Sequence, residues 1–231
     1  MKEAPDWTKH QYPQVKIDVN IKEINIQGDS SDYHVLWNAA QQIKGVDGLV
    51  LELGVRLGFG IFTIINSCLE NGENNRRYFG VDCYGDIRKQ YSNKLKIIAK
   101  HNLMTFCALR EQDFTLIEME DFEFFNRFDE GIPVYERKIW DSKKYTPDDY
   151  EWKQTVNEYA LVHIDGPHRM QDVVFESEFF LPRMAKGGVI VYDDIDKYKN
   201  KYNHEEYEPT ILEQGFEMIE KCGSKVSYRK L

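Results

Sequence analysis

The sequence predicts one α/β domain over residues 1–231, built on a doubly wound, mostly parallel sheet of seven strands with an antiparallel strand near the C-terminus. Three observations predict this fold class. Short, wholly apolar runs such as LVLEL are typical of strands that are buried on both faces of a parallel sheet. These runs alternate with segments whose apolar residues recur at helical spacing. The final segment, FEMIEKCGSKVSYRKL, has two runs around a Cys-Gly-Ser turn, which predicts a hairpin that adds the antiparallel strand.

The elements of the N-terminal half follow from apolar spacing and turn residues. A first helix is predicted within residues 30–45, because its apolar residues recur at helical spacing and Ser and Asp stand at its start as caps. The strand Leu49–Leu53 follows, and a second helix has an apolar stripe that begins at Ile61. A turn at 71–75 then leads into a second strand that ends at Asp82.

A long helical region, from about residue 86 to residue 110, opens the second half of the predicted fold. We expect a break in this helix near residues 101–102. The remaining predicted elements are a strand at 114–120, a strand at 159–166, a helix that runs up to Pro182 and a strand at 187–194.

Two charged segments, 129–155 and 196–208, do not fit the alternation of strands and helices. Both are rich in Tyr, the first also in Trp, and both lie beyond the ends of strands. Ligands of open α/β sheets bind outside the carboxyl ends of the strands, so each segment is a candidate lid, with a solvated surface loop as the alternative. The chain therefore divides into an N-terminal cap with the first helix (1–45) and a core (46–231) that carries both insertions.

Composition excludes several classes of partner. The net charge is −9 and the Lys and Arg residues are dispersed, so we do not expect nucleic acid to bind. No run of eighteen apolar residues predicts a membrane span, and the polar N-terminus lacks the apolar centre of a secretory signal. Four cysteines without a CxxC pair favour reduced thiols in the cytoplasm over a zinc site. The expected partner is a small molecule, and the sequence leaves a homo-oligomer open.

A glycine-rich loop follows Glu52, a carboxylate near the end of a strand that is otherwise apolar. Its glycines are Gly54, Gly58 and Gly60. Bare backbone between a strand and a helix allows close approach to a nucleotide-type cofactor. The dinucleotide pattern G-x-G-x-x-G does not fit, because glycine positions would fall on Arg56 or Thr63, and no Lys-Ser/Thr pair indicates a phosphate-binding P-loop. The pattern that does fit is E-x-G-x-x-x-G-x-G.

Asp82 is the second mark of a cofactor site, because it ends the second strand. A carboxylate there can accept two hydrogen bonds from a ribose diol. The alternative is a cap for the helical segment that starts near Asp86. After the third strand, EMEDFEFF adds two more acids, Glu120 and Asp121, at a predicted helix start.

Three aspartates end the fourth and fifth strands, Asp165 in HIDGPH and Asp193 with Asp194 in VIVYDDI. The ends of neighbouring parallel strands meet at one sheet edge, so we expect these carboxylates to converge and repel one another. Neither motif contains a Lys or Arg to neutralise them. A hard divalent cation such as Mg²⁺ would supply the missing positive charge, and capping of the next helix is the alternative.

Two histidines lie near these aspartates. His168 follows Asp165 by three residues, so it is a candidate general base, or else a histidine that orients a ligand or supports the structure. His163 lies inside a buried strand and is expected to be a hydrogen-bonded core residue.

The motif LELGVRLGFG resembles the first motif of class I S-adenosylmethionine-dependent methyltransferases, whose fold is Rossmann-like. The stretch from YALVHIDG to VIVYDDI is similar to the macrocin-type O-methyltransferase branch, and the resemblance covers roughly residues 48–230. It implies that Glu52 faces the loop and the cationic methionine end of the cofactor. It also implies that Asp82 binds the ribose and that Glu120 and Asp121 lie near the adenine.

The same resemblance implies a reaction, which is methyl transfer to a hydroxyl of a small polar acceptor, with a sugar expected first. Asp165, Asp193 and Asp194 would form the catechol-type metal triad for Mg²⁺ or a similar ion, and Asp165 or His168 would be the base. Pro167 departs from the pattern, because many relatives have an acid there. The alternatives are a nicotinamide-dependent oxidoreductase, which the glycine spacing disfavours, and an inactive cofactor-binding protein of the same fold.

Overall fold

A computed structural model of the chain describes residues 28, 30–84, 93–137, 150–167, 169–195 and 203–231. Its helices are α1 (Tyr33–Gln42), α2 (Phe59–Glu70), α3 (Asn93–Leu109), α4 (Asp121–Arg127), α5 (Met170–Phe180) and α6 (His204–Glu213). Its strands are β1 (Leu49–Leu53), β2 (Arg77–Val81), β3 (Asp113–Ile117), β4 (Ile132–Arg137), β5 (Tyr150–Val156), β6 (Tyr159–Ile164), β7 (Met184–Tyr192), β8 (Phe216–Cys222) and β9 (Lys225–Lys230). A 3₁₀ turn, Leu181–Arg183, links α5 to β7.

Seven strands form one sheet in the order β3-β2-β1-β6-β7-β9-β8. The first five are parallel, and β9 is antiparallel to both β7 and β8. This confirms the predicted fold class. The chain builds β1, β2 and β3 outward on one side and then returns to place β6 against the other side of β1. The carboxyl ends of β1 and β6 therefore flank the topological switch point, where open α/β sheets bind ligands.

Helices cover both faces of the sheet with apolar contacts. One core cluster joins α1, α2 and α3 to one face, and a second joins α4, α5 and α6 to the other. All five residues of β1 are buried, which explains its apolar composition. Among the helices that the structure describes, none is long and apolar enough to cross a membrane.

One predicted interruption is wrong, because α3 is continuous through residues 101–102. Leu103 and Phe106 are fully or almost fully buried in the core cluster that also contains α1 and α2. Burial of these side chains outweighs the weak helix propensity of His and Asn at the expected break.

The two candidate lids are only partly described. In the first, β4 pairs with β5 as a separate antiparallel two-stranded sheet, so both ends of the segment are ordered strands and not a continuous loop. Residues 138–149 lie outside the described part of the chain, as do 196–202 of the second segment. The second segment ends in the first turns of α6. That these segments close over a substrate stays a prediction.

Candidate functional site

The contacts of Glu52 explain why a glycine-rich backbone follows it. Its side chain is 1% exposed. One carboxylate oxygen, Oε2, accepts a hydrogen bond of 3.0 Å from the backbone N–H of Ile61, in the first turn of α2. The other, Oε1, lies 2.8 Å from Nδ1 of His163 on the neighbouring strand β6. A Cβ atom on Gly60 would lie 1.9 Å from Oε1, so only glycine fits there. Glu52 therefore ties β1, β6 and the start of α2 together.

The other two loop glycines also allow close backbone approach. Gly54 has φ +80°, and a Cβ on it would lie 1.9 Å from the carbonyl oxygen of Asp165. Gly58 has φ +89°, and its Cβ would lie 2.5 Å from a methyl carbon of Leu103 on α3. Both positions combine a left-handed backbone with no room for a side chain. The loop is thus packed against both β6 and α3.

Asp82 fastens the loop from the second strand. Its Oδ2 accepts a hydrogen bond from the backbone N–H of Arg56 at 2.7 Å, and its Oδ1 accepts one from the N–H of Tyr84 at 2.8 Å. The hydroxyl of Tyr84 donates to the carbonyl of Arg56 at 2.8 Å and closes the ring of contacts. Burial raises the pKa of Asp82, while the two backbone donors oppose that shift. The proposed cap near Asp86 falls on residues 85–92, outside the described chain.

The structure brings two of the three predicted aspartates together and adds a histidine. One donor atom each from His163, Asp165 and Asp193 lies within 4.8 Å of the others. Asp194 is not in this group. Asp165 and Asp193 each directly follow the last paired residues of β6 and β7, whereas Asp194 lies one residue further on and has a left-handed backbone with φ +53°. His163 is the hydrogen-bonded core residue that was expected, and it also faces the acids.

His163 leaves one ring nitrogen without a partner in the described structure. Its Nε2 is buried and makes no hydrogen bond, whereas Nδ1 faces Glu52. When Nδ1 donates to Glu52, Nε2 carries a free lone pair, and one of the two ring nitrogens lies within 4.8 Å of Asp165 and Asp193. A carboxylate behind a histidine is the arrangement that orients metal-binding imidazoles in proteins.

A lysine that the motifs do not contain neutralises Asp193. Lys225 is fully buried at the start of β9, and its Nζ lies 2.5 Å from Asp193 Oδ2. Asp193 accepts three further hydrogen bonds, from Ser30 Oγ, Ser224 Oγ and the N–H of Asp194. Burial raises the pKa of Asp193, but Lys225, His163 and the N–H of Asp194 together outweigh it and the net shift is downward. The two motifs contain no cation, as the sequence shows, but the fold brings one to Asp193 from β9.

The pKa of Asp165 is shifted in the opposite direction to that of Asp193. Burial raises its pKa well above the usual range, and the charge of Asp193 adds to that shift. Lys225 opposes it. The predicted second candidate for a base, His168, lies outside the described residues.

The predicted adenine acids lie where β3 gives way to α4. Glu120 directly precedes the helix and makes no side-chain cap, and Asp121 is its first residue. A Cβ on Gly166, just after β6, would lie 3.2 Å from Asp121 Oδ2 and 2.7 Å from Oε1 of Glu176 on α5. Sequence reasoning missed Glu176, Lys225 and the loop contacts of Asp82. A signal existed only for His163, since its spacing from Asp165 places the two on one face.

Comparison with known proteins agrees with this geometry. A family model described as a methyltransferase domain matches residues 51–195. No curated protein matches the chain significantly.

Solved structures share the fold at low identity. CalS11, a TDP-rhamnose 3′-O-methyltransferase of calicheamicin biosynthesis, has a TM-score of 0.56 at 18% identity over 86% of this chain and 78% of its own. The O-methyltransferase NovP has a TM-score of 0.54 at 14% identity over 84% and 78%. TomG from Streptomyces achromogenes, an O-methyltransferase of tomaymycin synthesis solved with S-adenosylmethionine, has a TM-score of 0.55 at 10% identity over 89% and 82%. Since the family model spans more than half of the chain, the protein belongs to the methyltransferase domain family and is a class I S-adenosylmethionine-dependent methyltransferase.

Proposed function

We propose that the protein transfers a methyl group from S-adenosylmethionine to a hydroxyl of a small polar acceptor, and that the acceptor is a sugar or a sugar-bearing metabolite. One observation carries the proposal. The loop held by Glu52 and Asp82 opens at the same sheet edge as the acids Asp165 and Asp193. CalS11, which shares the fold, methylates a nucleotide sugar at oxygen, and this supports the sugar class.

The charges at this edge suit both reactants. Glu52 and Asp165 favour a sulfonium and an ammonium group nearby, because a cation offsets the cost of burying a carboxylate. The displacement is direct, so the protein acts chiefly by aligning the acceptor oxygen with the methyl group and excluding water. Asp165 and His168 are the two predicted candidates for the base that takes the hydroxyl proton.

The described residues fit a divalent cation, with one change from the predicted triad. His163, Asp165 and Asp193 would hold it, and Glu52 would orient His163 from behind. Such an ion lowers the pKa of an acceptor hydroxyl bound to it. A site with one imidazole and two carboxylates suits Mn²⁺ or Fe²⁺ better than Mg²⁺, which prefers oxygen alone. Lys225 competes with the ion for Asp193, which must exchange at least one of its four hydrogen bonds.

The test is a methyl-transfer assay with labelled S-adenosylmethionine and a panel of nucleotide sugars and catechols. We expect an O-methylated sugar, loss of turnover in chelator and recovery with Mn²⁺. Transfer to catechols alone would contradict the sugar class. Full turnover in the presence of chelator would contradict a role for a divalent cation. Lys225 would then be the positive charge beside Asp193. Hydride transfer from a nicotinamide cofactor, with no methyl transfer, would contradict the whole proposal.

A further inference from the structure

Two acids on different helices lie beside the same glycine. Glu176 on α5 is 1% exposed, and Asp121, which is half-buried, begins α4. A Cβ on Gly166 would lie 2.7 Å from Glu176 Oε1 and 3.2 Å from Asp121 Oδ2. Phe125 and Phe179 stack at 4.5 Å between ring centroids and lock the two helices together. The two carboxyl groups are therefore held close by the fold.

No cation compensates for this closeness in the described part of the chain. Both oxygens of Glu176 are buried, and neither accepts a hydrogen bond from a donor group of the described chain. Arg169, just before α5, is paired with Asp172 through two hydrogen bonds. The other titratable groups that act on the pair are Asp82, Glu120, Asp172 and Tyr192. An isolated buried carboxylate costs several kcal/mol, so the economical solution is one proton between the two acids.

We propose that Glu176 is a positioning residue for the cofactor: its carboxyl group donates a shared proton to Asp121 and so holds Asp121 as the acceptor for the amino group of the adenine. The inference rests on the proposed placement of the adenine beside Asp121. It adds a residue from α5 that no motif of the sequence marks.

The titration of the two acids has a defined order. Burial raises the pKa of Asp121 to about 6, and the hydrogen bond from Glu176 limits that rise. Burial and the charge of Asp121 raise the pKa of Glu176 well above its usual range. Glu176 therefore keeps its proton to a higher pH than its usual range allows. Below about pH 6 Asp121 loses its acceptor charge, and Glu176 loses the donor proton as the pH rises through its raised pKa.

The first experiment measures the affinity for S-adenosylhomocysteine by calorimetry between pH 5 and pH 10, for the wild type, Glu176→Gln and Glu176→Leu. The wild type should lose affinity at both ends of this range. Glu176→Gln keeps a donor that cannot ionise. Its affinity should match that of the wild type at pH 7 and should not fall at alkaline pH. Glu176→Leu removes the donor. The loss of affinity on the acid side should therefore begin at a pH that is higher by about one unit or more. Glu178→Gln, an exposed change on the same helix, is the matched control and should behave as the wild type.

A second measurement needs no cofactor, so it separates this inference from the proposed function. Stability that depends on a neutral Glu176 is lost as pH rises from its unfolded value toward its raised folded value. The melting temperature of Glu176→Gln should therefore fall less than that of the wild type as the pH rises from the unfolded pKa of Glu176 through its raised folded pKa. If the melting temperatures of the two proteins change with pH in parallel, and their affinities for the cofactor have the same pH dependence, the shared proton is overturned. If the melting temperature of Glu176→Gln depends less on pH than that of the wild type, but neither protein binds the cofactor, the shared proton is supported and the cofactor site is contradicted.

Discussion

At the scale of single residues, Glu52 shows why a buried acid and a bare loop occur together. The carboxylate accepts the N–H of Ile61 and faces His163, and it needs Gly60 to have no side chain. Burial raises the pKa of Glu52, while the contacts to His163 and Ile61 oppose the rise. Its first role is to fix the conformation of the glycine-rich loop that would contact a cofactor.

Gly58 tests the loop directly. Gly58→Ala should abolish measurable binding of S-adenosylmethionine, because the new methyl group meets Leu103 at 2.5 Å and the backbone has φ +89°. Gly72→Ala is the matched control, since Gly72 has φ +83° but nothing within 4 Å. Calorimetry should show normal binding for the control. Equal loss in both variants would mean that backbone strain alone, and not close packing of the loop, decides binding.

Asp82 should affect stability and affinity together. Asp82→Ala removes the carboxylate that accepts hydrogen bonds from the N–H groups of Arg56 and Tyr84, so the free energy of unfolding should fall by about 1–3 kcal/mol. Loss of the ribose contact should weaken cofactor binding by about 1.5–3 kcal/mol. Tyr84→Phe removes only the hydroxyl contact within the loop and should cost affinity much less. An Asp82→Ala protein that is destabilised yet binds the cofactor normally would limit Asp82 to a structural role.

At the scale of elements, the strands were the most predictable part of the fold. The parallel strands are short and apolar, and the structure has all five where they were predicted, with shifts of a few residues at their ends. The unbroken α3 and the β4–β5 pair depend on tertiary packing, which periodicity does not report. Lys225 escaped prediction for the same reason: it reaches Asp193 only because β9 pairs antiparallel with β7.

Lys225 gives the test at this scale. Lys225→Met should lower the free energy of unfolding by about 3–5 kcal/mol, because Asp193 stays buried without its cation. If the metal site is real, Mn²⁺ should raise the melting temperature of this variant more than that of the wild type. Lys221→Met, an exposed change on β8, is the control. A variant that Mn²⁺ does not stabilise would argue that Lys225 is itself the required cation.

At the scale of the whole molecule, chain order explains which parts of the site could be predicted. Glu52 lies near the carboxyl end of β1, and Asp82 and Asp165 directly follow β2 and β6, so their meeting at one edge follows from topology alone. His163, Lys225 and Glu176 come from a strand interior, an antiparallel strand and a helix face. Their roles depend on register and packing, and no local pattern reports either.

We expect this sheet edge to bind S-adenosylmethionine. Calorimetry of the wild-type protein with S-adenosylmethionine, S-adenosylhomocysteine and NAD measures this binding. We expect one tight site per chain for each of the first two ligands and none for NAD. Tight binding of NAD, with none of S-adenosylmethionine or its product, would contradict it.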